Sequence, residues 1–81
     1  MAQNDLWDEA MEVFEKEARA HPTPSNHYNL GVCYEALGMY DEAEKQYKNA
    51  INLKPKDLYI EALAGIKKLK EEKKILKERE K

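Results

Sequence analysis

Two stretches of this chain are copies of one pattern. Residues 7–22 (WDEAMEVFEKEARAHP) align with residues 40–55 (YDEAEKQYKNAINLKP) at a constant offset of 33 positions, since 40 − 7 = 33. The matching pairs are Trp7/Tyr40, Asp8/Asp41, Glu9/Glu42, Ala10/Ala43, Phe14/Tyr47 and Pro22/Pro55. A sequence period of roughly 20–50 residues is typical of proteins in which one supersecondary unit stacks on the next. The chain is therefore predicted to fold as repeats of one unit.

Each copy has the pattern of an α-helix that a proline closes. In the first copy, Ala10, Phe14 and Ala18 share one helix face. Acidic residues occupy the first turn of both copies, where the helix dipole favours negative charge. Pro22 and Pro55 bias the residues before them towards extended backbone. With one helical pattern between the copies and another after Pro55, the sequence predicts an all-α fold of about four antiparallel helices, near 5–20, 25–37, 40–53 and 57–79.

The glycines have different predicted roles. Gly31 lies inside the second helix, where glycine costs about 1 kcal/mol relative to alanine. Its missing side chain is expected to let a neighbouring helix approach closely. Gly38 follows the same helix and is predicted to end it with a positive φ, while Ser25 or Asn26 is predicted to cap its start. Gly65 stands at the matching place in the last helix.

The residues from the second helix to Pro55 form a longer motif, which reads His27-x2-Leu30-Gly31-x2-Tyr34, Ala43-x3-Tyr47, Pro55. It resembles the tetratricopeptide repeat, whose pattern is Trp-x2-Leu-Gly-x2-Tyr, Ala-x3-Phe, Pro with a period of about 34 residues. His27 replaces the Trp and Tyr47 replaces the Phe. The resemblance implies helix-turn-helix repeats of an α-α superhelix. It also implies that the helices pack through His27, Leu30, Gly31, Tyr34, Ala43, Tyr47, Ala50 and Pro55.

The resemblance also implies a division of the chain. Residues 1–81 would form a single domain of tetratricopeptide type. Within it, residues 5–22 would be the second helix of a half-repeat, residues 24–55 a full repeat, and residues 57–81 a capping helix with a charged C-terminal extension.

The function that the resemblance implies is a non-enzymatic protein–protein interaction module or scaffold, which binds a peptide or helix in a concave groove. Family positions place Tyr28, Asn29, Val32, Glu35, Tyr59, Ala62, Ile66 and Leu69 on that groove. Some members of the family hold the acidic C-terminus of heat-shock chaperones in a clamp of Lys, Asn and Arg. Here only Asn29 matches the clamp and Leu63 stands at a basic position, so no chaperone clamp is expected.

Self-association is the alternative function. The first helix is apolar on more than one side, and exposed apolar patches of several hundred Å² usually mark interfaces. The charges are also asymmetric: residues 1–66 carry 6 − 12 = −6, and residues 67–81 carry 8 − 4 = +4. The chain would then be a homodimer, or an engineered repeat, without a ligand of its own. The residues predicted for this contact are Trp7, Met11, Phe14, Ile75 and Leu76.

No arrangement of residues with catalytic or metal-binding spacing is found. His27 and Cys33 are six residues apart on one helix, about 240° around it, so they do not meet locally. Zinc-type Cys/His spacing and glycine-rich phosphate loops are both absent from the sequence. The chain is therefore predicted not to be an enzyme and to need no cofactor or metal.

The basic tail is not predicted to bind nucleic acid or a membrane. Glutamates are interleaved with its lysines and it has no aromatic residue. No apolar run approaches the roughly 18 residues that a membrane span needs, and the acidic N-terminus lacks a secretory signal. Cys33 is the only cysteine, so a reducing, cytoplasmic setting is expected.

Overall fold

The computed structural model describes residues 2–79, and it describes side chains for residues 6–76. Its helices are α1 (Ala2–Ala20), α2 (Pro24–Ala36), α3 (Tyr40–Leu53) and α4 (Asp57–Arg79). Residues 2–79 contain no strand, so the all-α prediction is confirmed. The bounds of α3 and α4 agree with those predicted, whereas α1 begins earlier and α2 is shifted by one residue.

Each helix packs on the next one along the chain. The contacts run from α1 to α2, from α2 to α3 and from α3 to α4, and the α2–α3 pair is the most extensive. Connections of three residues join the helices (21–23, 37–39 and 54–56), and such short connections favour antiparallel neighbours. The core lies between α2, α3 and α4, where Ala43, Ala50 and Ile66 have no exposed surface.

The start of α2 differs from the prediction. Thr23 caps this helix, and its Oγ1 accepts a hydrogen bond from the backbone N–H of Asn26 at 3.2 Å. Pro24 occupies the first turn, which suits proline because it has no N–H and a helical φ. The predicted caps have other positions: Ser25 lies within the helix, and the Asn26 side chain donates to the carbonyl of His21 at 2.8 Å. Asn26 therefore ties the end of α1 to the start of α2.

The end of α2 confirms the prediction for Gly38. This residue has φ +78°, a left-handed conformation that glycine adopts without steric cost. Its N–H donates to the carbonyl of Glu35 at 3.0 Å, and the N–H of Met39 donates to the carbonyl of Tyr34 at 2.8 Å. These bonds satisfy the last carbonyls of α2 and turn the chain into α3.

Gly31 lies at the closest approach between α2 and α3. A Cβ built at this position would be 2.6 Å from Cε1 and 2.8 Å from Cδ1 of Tyr47. The ring of Tyr47 is 1% exposed, and its hydroxyl donates to Glu35 Oε1 at 2.8 Å. The missing side chain of Gly31 therefore makes room for the ring of Tyr47, which the hydrogen bond to Glu35 also holds in place.

Candidate protein-interaction surfaces

Three tyrosines, one each on α2, α3 and α4, pack against one another on one face of the molecule. The ring centroid of Tyr28 lies 5.8 Å from that of Tyr47 on α3 and 5.4 Å from that of Tyr59 on α4, and both pairs are tilted. The ammonium group of Lys56 lies 5.9 Å from the centroid of the Tyr59 ring. Tilted aromatic pairs at this distance are attractive beyond the area they bury. The rings therefore hold α2, α3 and α4 together at one end of this face.

Four apolar residues among the eight predicted for a concave groove lie on α2 and α4 and keep part of their surface exposed. Tyr28, Val32, Ala62 and Leu69 are half-buried and pack against the core cluster. Each of them retains some surface that a partner could contact. We call these four residues the α2–α4 apolar row. Asn29 is also half-buried.

Two other residues predicted for the groove, Tyr59 and Ile66, are buried. Tyr59 is 5% exposed and Ile66 is 0% exposed, so Tyr59 offers a partner little side-chain surface and Ile66 offers none. Both side chains support the row from beneath. Glu35 is half-buried and its Oε1 accepts the hydrogen bond from Tyr47, so this carboxylate already has a partner within the chain.

The residues predicted for self-association fall into two groups. Trp7, Ile75 and Leu76 are exposed by 38%, 42% and 60% respectively. Met11 and Phe14 are half-buried and pack against the core of their own chain. These two residues therefore hold α1 on α2 and offer only part of their surface outward.

A cleft of about 340 Å³ lies beside the C-terminal half of α4. It is lined by Gly38, Tyr40, Leu69, Glu72, Lys73 and Leu76. The ammonium group of Lys73 lies 5.4 Å from the centroid of the Tyr40 ring. The cleft continues the α2–α4 apolar row from Leu69 towards the exposed Leu76.

Lys70 fixes α4 on α3, which sequence reasoning missed. Its Nζ donates to Asp41 Oδ1 at 2.7 Å and to Glu44 Oε1 at 2.6 Å. The hydrogen bond from Lys70 lowers the pKa of Glu44, and the hydrogen bonds to Asp41 and Glu44 raise the pKa of Lys70. Lys70 and Glu44 are 26 positions apart, so no local sequence pattern could have paired them.

A hydrogen bond between a tyrosine and a carboxylate joins α1 to α2. The Tyr34 hydroxyl donates to Glu15 Oε2 at 2.7 Å. Burial, and then the hydrogen bond to Glu15, raises the pKa of Tyr34 to about 12. The tyrosine is therefore protonated at neutral pH and acts as a donor that holds the two helices together.

His27 and Cys33, which the sequence does not predict to form a reactive pair, are packed within the repeat. His27 Nδ1 lies 2.8 Å from Gln46 Oε1, so its side chain links α2 to α3. Cys33 is 1% exposed, and burial raises the pKa of its thiol, which disfavours the nucleophilic thiolate. Among the described residues, no group of three or more His, Cys, Asp or Glu side chains could hold a metal ion. No described helix is long and apolar enough to cross a membrane.

Comparison with known families places the repeat at residues 26–57, which match the tetratricopeptide repeat family. The resemblance noted in the sequence is therefore confirmed over these residues, and the four described helices fit a helical-repeat fold. Proteins with this repeat are generally non-catalytic modules for protein–protein interaction, and the family indicates that class of function here. No curated protein and no solved structure gave a significant match to the chain.

Proposed function

We propose that this chain binds a peptide or a helix of a partner protein along the α2–α4 apolar row. The observation that carries the proposal is the row itself: Tyr28, Val32, Ala62 and Leu69 on α2 and α4 are half-buried, and all four pack against the same core cluster. Asn29 supplies a polar group at its edge. The row would be the concave groove of the tetratricopeptide fold.

The packing of the row favours tight contacts. Its side chains are already held by the core and by the buried Tyr59 and Ile66. Because their conformational freedom is lost on folding, a partner would order few additional rotamers on binding. An apolar row with exposed Leu58 and Leu76 near its two ends also suits the apolar stripe of an amphipathic helix.

Peptide display with the full-length chain as bait tests this function. Peptides that bind should lose at least about tenfold in affinity, about 1.4 kcal/mol, when Val32 and Leu69 are both changed to lysine. The matched control is Asn49→Lys on the exposed side of α3, which should bind as the unsubstituted chain does. Circular dichroism must show that each variant keeps its helical signal. Selected peptides that bind the double variant as tightly as the control would exclude the row as the binding site.

We also propose the domain division that the sequence suggested. A single domain, residues 1–81, would consist of a half-repeat helix (5–22), a full repeat (24–55) and a capping helix with a charged extension (57–81). The exposed charges of Glu71, Glu72 and Lys74 in the C-terminal half of α4 support the charged extension, because terminal repeats need a polar surface for solubility. The lone and buried Cys33 supports a reducing, cytoplasmic setting.

The second candidate function is a symmetric homodimer. It is favoured by the exposure of Trp7 on α1 and of Ile75 and Leu76 on α4, because removing such apolar groups from water lowers the free energy. The outward surfaces of Met11 and Phe14 would add to the contact. Closed two-fold dimers are the commonest soluble oligomers.

Light scattering after size exclusion tests the homodimer at about 100 µM, a concentration well above a micromolar dissociation constant. The mass should be that of a dimer. Met11→Glu combined with Leu76→Glu should return it to the monomer mass with the helical signal retained. A monomer mass for the unsubstituted chain would refute the homodimer without bearing on the peptide-binding test.

A further inference from the structure

The two outer helices carry the two halves of a contact that the middle of the chain makes internally. Gly31 on α2 meets the ring of Tyr47 on α3, at 2.6 Å from a built Cβ. Gly65 occupies the matching place on α4, and no described atom outside its own helix lies within 4 Å of a built Cβ there. Phe14 on α1 is the sequence counterpart of Tyr47, yet it is only half-buried, whereas Tyr47 is 1% exposed.

We propose that α1 of one copy of this chain packs on α4 of a second copy, as α3 packs on α2 within one copy. Phe14 of the first copy then lies on Gly65 of the second. The surface involved on α4, which we call the Gly65 face, is exposed and consists of Glu61, Ala64, Gly65 and Lys68. This contact does not depend on the α2–α4 apolar row.

The apolar residues on the N-terminal side of Phe14 suit this arrangement. On α1, Leu6, Ala10 and Val13 recur with helical spacing, and Leu6 and Val13 are exposed by 65% and 58%. A second copy would remove these apolar groups from water. Ala64 and Gly65 are small, so α1 can approach α4 as closely as α3 approaches α2.

The α2–α3 pair also supplies a register for the proposed contact. Gly31 and Tyr47 correspond to Gly65 and Phe14. His27 and Gln46, whose side chains lie 2.8 Å apart, correspond to Glu61 and Val13. Tyr34, whose pKa the charge of Glu42 raises, corresponds to Lys68, and Glu42 corresponds to Glu9. Lys68 of one copy thus faces Glu9 of the other, and the pair is attractive.

The charges of the two helices are complementary over a longer range as well. Helix α1 carries 2 − 6 = −4, and residues 67–79 of α4 carry 7 − 3 = +4. Opposite charges steer two surfaces together and fix their relative orientation. A second copy brings its acidic α1 to the basic α4 of the first. The charge that α4 attracts is therefore present on the chain itself.

The proposed contact differs in symmetry from the two-fold homodimer. Each copy uses α1 on one side and α4 on the other, and such head-to-tail contacts build rings or open series. Sedimentation velocity from about 10 µM to about 1 mM, the range expected for a small interface, should show mass that rises with concentration. A monomer mass throughout this range would overturn the proposal.

Gly65→Gln is the decisive variant, and Lys67→Gln, on another side of the same helix, is its matched control. In a single copy the new side chain meets open space, so the fold should be kept or stabilised. In the proposed contact its Cβ meets Phe14, and association should weaken on the order of tenfold or more. Unchanged association in a folded Gly65→Gln variant would overturn the proposal, as would an equal loss in the control.

Cross-linking tests the register directly. Chains carrying Val13→Cys are mixed with chains carrying Glu61→Cys, and a short bis-maleimide is added; both positions are exposed, whereas the native Cys33 is buried. The mixed product should form readily. It should be several-fold scarcer when Lys67→Cys replaces Glu61→Cys. Equal yields from the two mixtures would contradict the arrangement, whatever the outcome of the peptide-binding experiment.

Discussion

Gly31 and Gly65 stand at matching places on two helices, but their surroundings differ. A Cβ at Gly31 would lie 2.6 Å from the ring of Tyr47, whereas a Cβ at Gly65 would meet no described atom outside its own helix within 4 Å. In the middle of the molecule, α3 thus covers the glycine of α2, whereas no other helix of the same chain covers Gly65 on the outer side of α4. The same residue is required by packing in one place and is only a weak helix former in the other.

Gly31→Leu is the substitution with the largest expected effect on this comparison. It should lower the free energy of unfolding by about 3 kcal/mol, because overpacking forces the ring of Tyr47 out of a site where it is 1% exposed. Leucine is the better helix former, so helix propensity alone predicts the opposite sign. Guanidinium unfolding followed by circular dichroism measures the change. A midpoint that holds or rises would mean that Gly31 is not at a tight contact.

The contact between α1 and α2 that Tyr34 and Glu15 make should weaken in alkaline solution. The pKa of Tyr34 is raised from an ordinary value of 10.0 to about 12, so its contribution to stability is fully present below pH 10 and is lost as the pH approaches 12. Tyr34→Phe should lower the free energy of unfolding at pH 7 by about 1.5 kcal/mol, because it removes a hydrogen bond to a charged group. The thermal midpoint should also fall less steeply between pH 10 and 12. An identical alkaline slope in the variant would show that this tyrosine does not report the α1–α2 contact.

Gly65→Ala should change the free energy of unfolding in the opposite direction from Gly31→Leu. The added methyl group meets open space, and alanine is the better helix former by about 1 kcal/mol. The free energy of unfolding should therefore rise by about that amount, provided that it is measured at low concentration, where chains do not associate. A loss of stability in dilute solution would mean that the outer side of α4 is covered within the same chain.

The smallest expected effect concerns the ion pairs by which Lys70 holds α4 on α3. Lys70→Gln removes the ion pairs to Asp41 and Glu44, so the thermal midpoint should fall slightly. Lys67→Gln, which has no such partner among the described residues, is the control. The difference between the two variants should shrink as salt is added, because exposed charges are screened. A difference that does not change with salt would indicate that the Lys70 side chain acts by packing.

The sequence alone was enough for the helices and for the family. Apolar positions three or four residues apart, the acidic first turn of α3 and two closing prolines are local features, and the backbone responds to them within a few residues. The exact start of α2 was missed because Thr23 and Pro24 together make a better cap than Ser25 or Asn26, and two caps so close in sequence differ by little.

The roles of individual side chains were decided only by the tertiary structure. Tyr59 and Ile66 are predicted for the groove and are buried, because the packing of α4 on α3 and of the Tyr59 ring on Tyr28 determines which side of α4 is covered. Lys70 finds Asp41 and Glu44 from a distant part of the chain for the same reason. Repeating sequence placed a glycine on both α2 and α4, and local rules could not distinguish them. Only the presence of Tyr47 over Gly31, and of open space beside Gly65, makes one a packing site and the other a free surface.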